Sequence, residues 1–418
     1  MQTTLNNPAA DYPTAPAADA MTPLERRSSA SLALIFAMRM LGLFLVLPVF
    51  ALEAHKYPGG EDAAMVGLAM GIYGLTQGLL QIPFGMASDR WGRKPVIVVG
   101  LLIFALGSFM AALATTLPWL VAGRALQGAG AISAAVTALL ADQTRDEVRT
   151  KAMALVGISI GLMFALSLVV SPWLNSLIGL HGLLAATGAL ALAGIAVLLL
   201  WVPPEPVQRV HPGRNGLRQV LRLPALLRLN LGVFVLHAVQ LAMWVVLPAM
   251  LVQAGLDKNQ HWQVYLPAVL GSFLAMGMVL FPLERRGYLR AVFLSAVGLM
   301  ALVQLGLLGL TFFTPGISAL AGLLFVFFCG FNVLEASQPS LVSKLAPTPL
   351  RGAALGIYNS LQSLGFFAGG LCGGWLVKHA GPQALFAASS AAMALWLLAA
   401  WPMQVPVATA HAAAPKAA

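Results

Sequence analysis

The chain has 418 residues, of which 59% are hydrophobic and 9% charged, with a formal net charge of +10. Soluble domains carry about a quarter charged residues, so this chain has too little polar surface to cover a water-exposed globule. The basic residues are scattered between apolar runs, which argues against nucleic-acid binding and for membrane orientation signals.

Residues 1–28 are polar and rich in Ala, Pro and Thr. They lack the charged start, short apolar core and cleavage site of a signal peptide, so a disordered cytoplasmic tail is expected. Twelve hydrophobic spans follow, at about 32–52, 64–86, 95–114, 118–140, 152–173, 183–202, 229–253, 263–282, 289–313, 317–342, 353–376 and 383–402. Runs this long satisfy their backbone in lipid as helices and exclude barrel strands. Cys329 and Cys372 both lie inside such runs, so neither a disulfide framework nor a Cys-based metal site is indicated. The expected fold is an all-α polytopic membrane protein with a six-helix half over 29–202, a basic cytoplasmic linker over 203–228, a second six-helix half over 229–402 and a tail over 403–418.

Charge gives the orientation. With the N-terminus inside, nineteen of the 24 Lys and Arg residues fall in cytoplasmic segments. Lys56, Lys258 and Lys378 lie outside, and Arg39 and Arg124 lie within spans. The positive-inside rule therefore predicts that both termini are cytoplasmic.

The two halves resemble each other. FLVLPVFAL in span 1 matches WVVLPAML in span 7, with Pro48 and Pro248 200 residues apart. Pro83 in span 2 corresponds to Pro282 in span 8, and RTKAMALVGI before span 5 to PLRGAALGIY before span 11. Internal duplication on this scale is typical of secondary transporters, whose halves rock about a central site.

A charge in the hydrocarbon region costs a few kcal/mol, so those present mark function or a structural pair. Arg39, Arg124, His237 and Glu335 sit in spans 1, 4, 7 and 10, the first of each successive triplet. Gln127, Gln240, Asn332 and Gln338 lie in the same spans, and together they predict one polar cavity. Glu335 is the leading proton-site candidate, because burial favours the neutral acid and makes protonation reversible near neutral pH. His237 can titrate without help, and Asp142 stands at the cytoplasmic end of span 4. An ion pair holding the halves together is the alternative role for Glu335, as is a neutral interhelical hydrogen bond for His237. Arginine cannot deprotonate, so Arg124 can pair, gate or bind an anion but cannot carry protons. Tyr358, with Met38, Met40, Phe44, Phe164, Met243, Trp244 and Phe331, is expected to line the apolar part of the cavity.

One polar segment stands out at the cytoplasmic end of span 2, GMASDRWGRKPV over 85–96. Arg90, Arg93 and Lys94 satisfy the inside rule, but that rule requires neither Asp89 nor the glycines. Gly85 and Gly92 allow close approach and a sharp turn, and Asp89 can pair with a nearby arginine or cap a helix of the other half. A cluster that binds across the halves in one state and releases in the other acts as a latch.

This segment resembles the signature loop of the major facilitator superfamily, Gly-x-x-x-Asp-Arg-x-Gly-Arg-Lys, at Gly85, Asp89, Arg90, Gly92, Arg93 and Lys94. Arg124, Gln127 and Gly128 match a second motif of that family, Arg-x-x-Gln-Gly. RMLGLFLVLPVFAL, YGLTQGLLQIPFG and FNVLEASQPSLVSKLAP further resemble the drug:proton antiporter branch and its YajR-type exporters. The resemblance covers all twelve spans. It implies exchange of protons for a small molecule by alternating access in a bacterial inner membrane. It also implies a cavity lined by spans 1, 4, 7 and 10, and a signature loop that stabilises the outward-facing state. The antiporter motif of span 5 ends Gly-Pro-x-x-Gly-Gly, whereas Ser171-Pro172-Trp173-Leu174-Asn175-Ser176 keeps only the proline. YajR-type proteins often carry a soluble C-terminal domain; only about sixteen residues follow span 12 here, so no function of that domain is expected.

Uptake by symport in the same fold, and a non-transporting membrane sensor, are the alternatives. No HExxH, GxSxG or Walker A motif occurs, so neither an enzyme nor an ATP-driven pump is indicated, and the expected energy source is the proton gradient with no cofactor. The expected partners are a small molecule, protons and lipid, with a monomer as the transport unit.

Overall fold

The computed structural model describes residues 20–205, 219–347 and 350–403. The expected tails, over 1–19 and 404–418, and most of the linker, over 206–218, lie outside the described residues. Among the described residues the regular elements are eleven α-helices, α1 Pro23–Ala54, α2 Ala63–Trp91, α3 Arg93–Ala112, α4 Leu117–Ala129, α5 Ser133–Asp142, α6 Asp146–Leu200, α7 Pro224–Gln253, α8 Trp262–Arg285, α9 Leu289–Leu310, α10 Ile317–Leu345 and α11 Arg351–Ala400, together with one 3-10 turn at Lys258–Gln260.

Two of these helices are too long for one crossing. α6 has 55 residues and α11 has 50, each about 80 Å at 1.5 Å per residue, against a hydrocarbon core of about 30 Å. Each is broken at a glycine in the left-handed region, Gly179 with φ 64° and Gly381 with φ 76°. The chain reverses there. Ser159 and Ser171 bond to the carbonyls of Ala33 and Leu45, so 159–171 runs along α1 in the same sense. Thr187 then bonds to the carbonyl of Gly42 and Arg27 to that of Trp201, so 187–201 runs back. In α11, Gly365 and Gly373 approach Phe234 and Ala242 of α7, after which Trp396 packs beside Gly232. α4 and α5 divide one span at 130–132, where a Cβ on Gly130 would stand 2.3 Å from the carbonyl oxygen of Gly100. That span was expected as one continuous helix, and the close packing on α3 breaks it.

Twelve crossings result, six in each half. Each connects one face, which carries the starts of α1 and α7 and both ends of α11 (the terminal face), with an opposite far face, in alternating directions. α1 begins at Pro23, inside the segment expected as a tail, because a capping box starts it there. Thr22 accepts from the Glu25 amide while Glu25 accepts from the Thr22 amide at 2.8 Å. Glu25 also accepts from Arg145 Nε at 2.9 Å, tying the start of α1 to that of α6 and raising the pKa of the Arg145 guanidinium.

Between the halves the contact is a seam of small residues. Gly67, Gly71, Gly74 and Gly78 of α2 face Ser360, Ser363, Phe367, Gly370 and Gly374 of α11 so closely that backbone touches backbone. The seam covers the far-face part of both helices. Toward the terminal face Gly352 and Gly356 of α11 have open space around them.

Candidate functional site

Glu335 sits on α10, His237 on α7 and Gln362 on α11, and the three side chains meet. His237 Nδ1 is 2.8 Å from the carbonyl oxygen of Val233, one turn earlier on its own helix. A carbonyl only accepts, so Nδ1 carries the proton, and in the neutral ring Nε2 is an acceptor. Gln362 Nε2 donates to that Nε2 at 2.8 Å and to Glu335 Oε1 at 3.2 Å. The remaining carboxylate oxygen, Oε2, stands 3.3 Å from His237 Nε2 and has no hydrogen-bond donor. Two acceptors therefore face each other at that distance. The imidazole is otherwise enclosed by Phe331 and Phe366, with ring centroids 6.0 and 4.8 Å away. Glu335 is a third exposed, and His237 is buried. Phe331 in turn packs on Phe164 of α6, which is in edge contact with Phe44 of α1, so the aromatic wall is built from both halves.

The two intramembrane arginines take other partners. Arg39 donates to Tyr73 Oη at 2.7 Å and to Ser133 Oγ at 3.1 Å, and lies over the Phe104 ring. Arg124 lies over the Tyr73 ring at 5.3 Å and donates to Gln127, whose amide donates to Ser108 Oγ at 2.8 Å. Both guanidiniums are buried among α1, α2, α3, α4 and α5, and their polar partners are neutral. The single polar cavity expected from spans 1, 4, 7 and 10 is thus two separate clusters. The cause is azimuthal: Arg39 and Arg124 face inward within the first half, whereas His237 and Glu335 face the interface with α11. Of the other expected cavity residues, Asn332 donates to Ser272 Oγ at 2.9 Å, and Gln240 and Tyr358 are buried with Oε1 and Oη unpaired. Asp142 is not near Glu335; it pairs with Arg93 Nε at 3.1 Å.

The signature segment lies at the terminal face between α2 and α3. Gly92, at φ 99°, makes the turn there. Arg93 is the hub, donating to Ser88 at 2.7 Å and to Asp89 and Asp142. Glu205, which leads into the linker, accepts from the amides of Arg93, at 2.9 Å, and Lys94 and so caps α3, while Lys94 Nζ donates to the carbonyl of Val202. Asp89 and Arg90 are exposed. These contacts all lie within the first half, so Asp89 bridges to Arg93 and not across the halves in this state. A Cβ on Gly85 would meet Ala134 at an ordinary 3.5 Å, so the close approach expected there is not present.

Ion pairs that do cross the halves are at the far face. Buried Glu53 accepts from Lys258 at 2.9 Å and from Lys56, and Asp62 accepts from Lys378 at 2.7 Å. The Glu53 carboxylate raises the pKa of Lys258, and Lys378 lowers that of Asp62. Beside them burial pushes His261 down to about 4 and Tyr57 up to about 12.

Comparison with known proteins fits this geometry. Residues 32–370 match the family model of the Major Facilitator Superfamily. The chain belongs to that superfamily. It is 41% identical over 391 residues to the inner membrane transport protein YajR of Escherichia coli (strain K12), covering 92% of this chain and 85% of that one. It is 28% identical over 355 residues to the multidrug resistance protein MdtH of Aeromonas salmonicida (strain A449), covering 84% and 88%. Among solved structures, a D-xylose-proton symporter superposes with a TM-score of 0.73 at 15% identity, covering 91% of this chain and 98% of that one. The protein is a multi-pass membrane transporter of the superfamily, with a small molecule as its substrate, and not an enzyme.

Proposed function

We propose that the protein exports small lipophilic or cationic compounds in exchange for protons, by alternating access of one site between the halves. The observation that carries this reading is the pair of facing acceptors, His237 Nε2 and Glu335 Oε2, 3.3 Å apart with no donor on the carboxylate oxygen. One proton placed between the two groups, on either of them, gives both a hydrogen-bond partner. An anionic carboxylate beside Phe164, Phe331 and Phe366 also suits a lipophilic cation, through charge and through the ring faces. Arg39 and Arg124 cannot titrate, and their fixed partners support a role in holding the first half together.

The terminal face is assigned to the cytoplasm by its Lys and Arg. The glycine seam and the Glu53–Lys258 and Asp62–Lys378 pairs then close the periplasmic side, which fits an inward-facing state. In the outward-facing state Asp89 and its neighbours engage the second half as a latch. One chain holds both halves and is a complete unit, driven by the proton gradient without a cofactor.

The test uses energised inside-out vesicles and a pH-sensitive dye, with a panel of lipophilic cations, neutral drugs and small anions. Export by antiport predicts proton release on adding a lipophilic cation, absent in Glu335→Gln. No proton movement with any compound, in vesicles containing folded protein, contradicts it and favours uptake.

A further inference from the structure

The proton pair has a third member with a separable role. Gln362 Nε2 lies between two acceptors, 2.8 Å from His237 Nε2 and 3.2 Å from Glu335 Oε1. The amide orientation follows from chemistry. His237 Nδ1–H donates its hydrogen bond to the Val233 carbonyl, so neutral Nε2 needs a donor, and the ionised carboxylate needs one as well. The amide nitrogen satisfies both, and the amide oxygen would satisfy neither.

A proton entering the pair removes one of these bonds wherever it settles. On His237 Nε2 it occupies the lone pair to which Gln362 donates. On Glu335 Oε2 it becomes an O–H that points at the same lone pair, 3.3 Å away. The Gln362 N–H···Nε2 bond breaks in both cases, and no other bond need break. Gln362 therefore binds the deprotonated pair and is displaced by the proton.

We infer that Gln362 is the positioning residue of the proton site: by donating to both acceptors it stabilises the deprotonated state and sets the pH at which the pair loads. This rests on the proposed proton site at Glu335 and His237. The titratable groups at the amide are Glu335 on α10 and His237 on α7, and Tyr358, one turn earlier on α11, lies within reach of the Glu335 charge. The first half presents Gly74 and Gly78 of α2 to the neighbouring turns of α11, and Phe164 of α6 to Phe331.

The experiment is a pH titration of the purified full chain by infrared difference spectroscopy, which reads the carboxylic-acid carbonyl band and needs no substrate. The Glu335 band is the one missing in Glu335→Gln. Gln362→Leu removes both donated bonds, and its Glu335 band should appear at a pH about one unit higher than in the wild type, a tenfold gain in proton affinity. Gln362→Met nearly keeps the shape of the side chain and removes the donor without adding a carboxyl group, so its midpoint should rise by about as much. A thermal melt run beside each titration identifies a variant that has not folded, and the near-isosteric Gln362→Met keeps the test available if Gln362→Leu fails. Unmoved midpoints in folded variants overturn the role of Gln362 and leave the proton site standing. A wild-type protein whose titration spectra show neither a Glu335-dependent carboxylic-acid band nor a His237-dependent imidazolium band overturns the proton site and the inference together.

Discussion

Gly67→Ala tests whether the seam between α2 and α11 is what closes the far face. A Cβ at position 67 would stand 2.1 Å from the carbonyl oxygen of Gly370 and 2.8 Å from Gly374 Cα, where ordinary contact begins at 3.4 Å. Both obstacles are backbone, so no side-chain rotation relieves the clash and the helices must separate by about 1 Å. Overpacking of this kind costs about 1–3 kcal/mol. The cost falls on the closed arrangement alone, so opening of the far face should be favoured about 5- to 150-fold. The reporter is a cysteine at Met250, which is buried and lines a crevice of about 220 Å3 between the halves at that face. With Cys329 and Cys372 replaced by alanine, Met250→Cys in detergent should react slowly with a hydrophilic maleimide. Adding Gly67→Ala should raise the rate by about that factor while the protein stays folded at the assay temperature. An unchanged rate in a folded protein refutes the view that the seam is tight enough to act as the gate.

The charge pairs beside the seam give a pH prediction with a definite sign. Asp62 has a lowered pKa, so the pair with Lys378 stabilises fully above the unfolded value of 3.8 and is lost as pH falls through the lower folded one. Lys258 has a raised pKa, so its pair stabilises fully below 10.5 and is lost as pH rises through the higher folded value. The melting-temperature differences of Asp62→Asn and Lys258→Met from the wild type should therefore be flat from about pH 5 to 9; a steep change within that window contradicts the pairing. Glu205→Gln weakens the cap on α3 and should cost about 1 kcal/mol in a denaturant melt, whereas no loss would show that the strap to Arg93 and Lys94 is idle. Asp89→Asn should leave binding of a lipophilic cation within about twofold while slowing turnover severalfold, and lost binding would contradict a latch.

Depth in the membrane was legible in the sequence, and direction around a helix was not. Long apolar runs gave the twelve crossings, and the left-handed glycines at 179 and 381 add the tight reversals that join α6 and α11 into single continuous elements. Arg39, Arg124, His237 and Glu335 all lie within spans as expected. Hydropathy cannot say which neighbour each one faces, so the arginines are expected in one cavity with Glu335 and instead bond to Tyr73, Ser133 and Gln127. Gln362 is a polar residue in an apolar span, the same signal that singled out Gln240. Polarity alone does not single it out, because span 11 also carries Asn359 and two Ser residues, and no charge that marks a site. The far-face pairs join residues 205 and 316 positions apart, a separation no local pattern encodes. At the signature segment the residue types were legible, but the wiring was not. Glu205 enters from the far end of the first half to cap α3, and Asp142 belongs to Arg93 and not to the proton pair.

The central claim is that Glu335 carries the exchanged proton, and separating exchange from proton drive tests it most directly. In proteoliposomes loaded with a neutral lipophilic compound that the wild type transports, Glu335→Gln should exchange labelled for unlabelled compound at close to the wild-type rate, because shape and fold are kept and no charge contact with the substrate is lost. It should fail to accumulate the compound when a pH gradient is imposed. Gradient-driven accumulation persisting in Glu335→Gln would contradict the account and place the proton on another group.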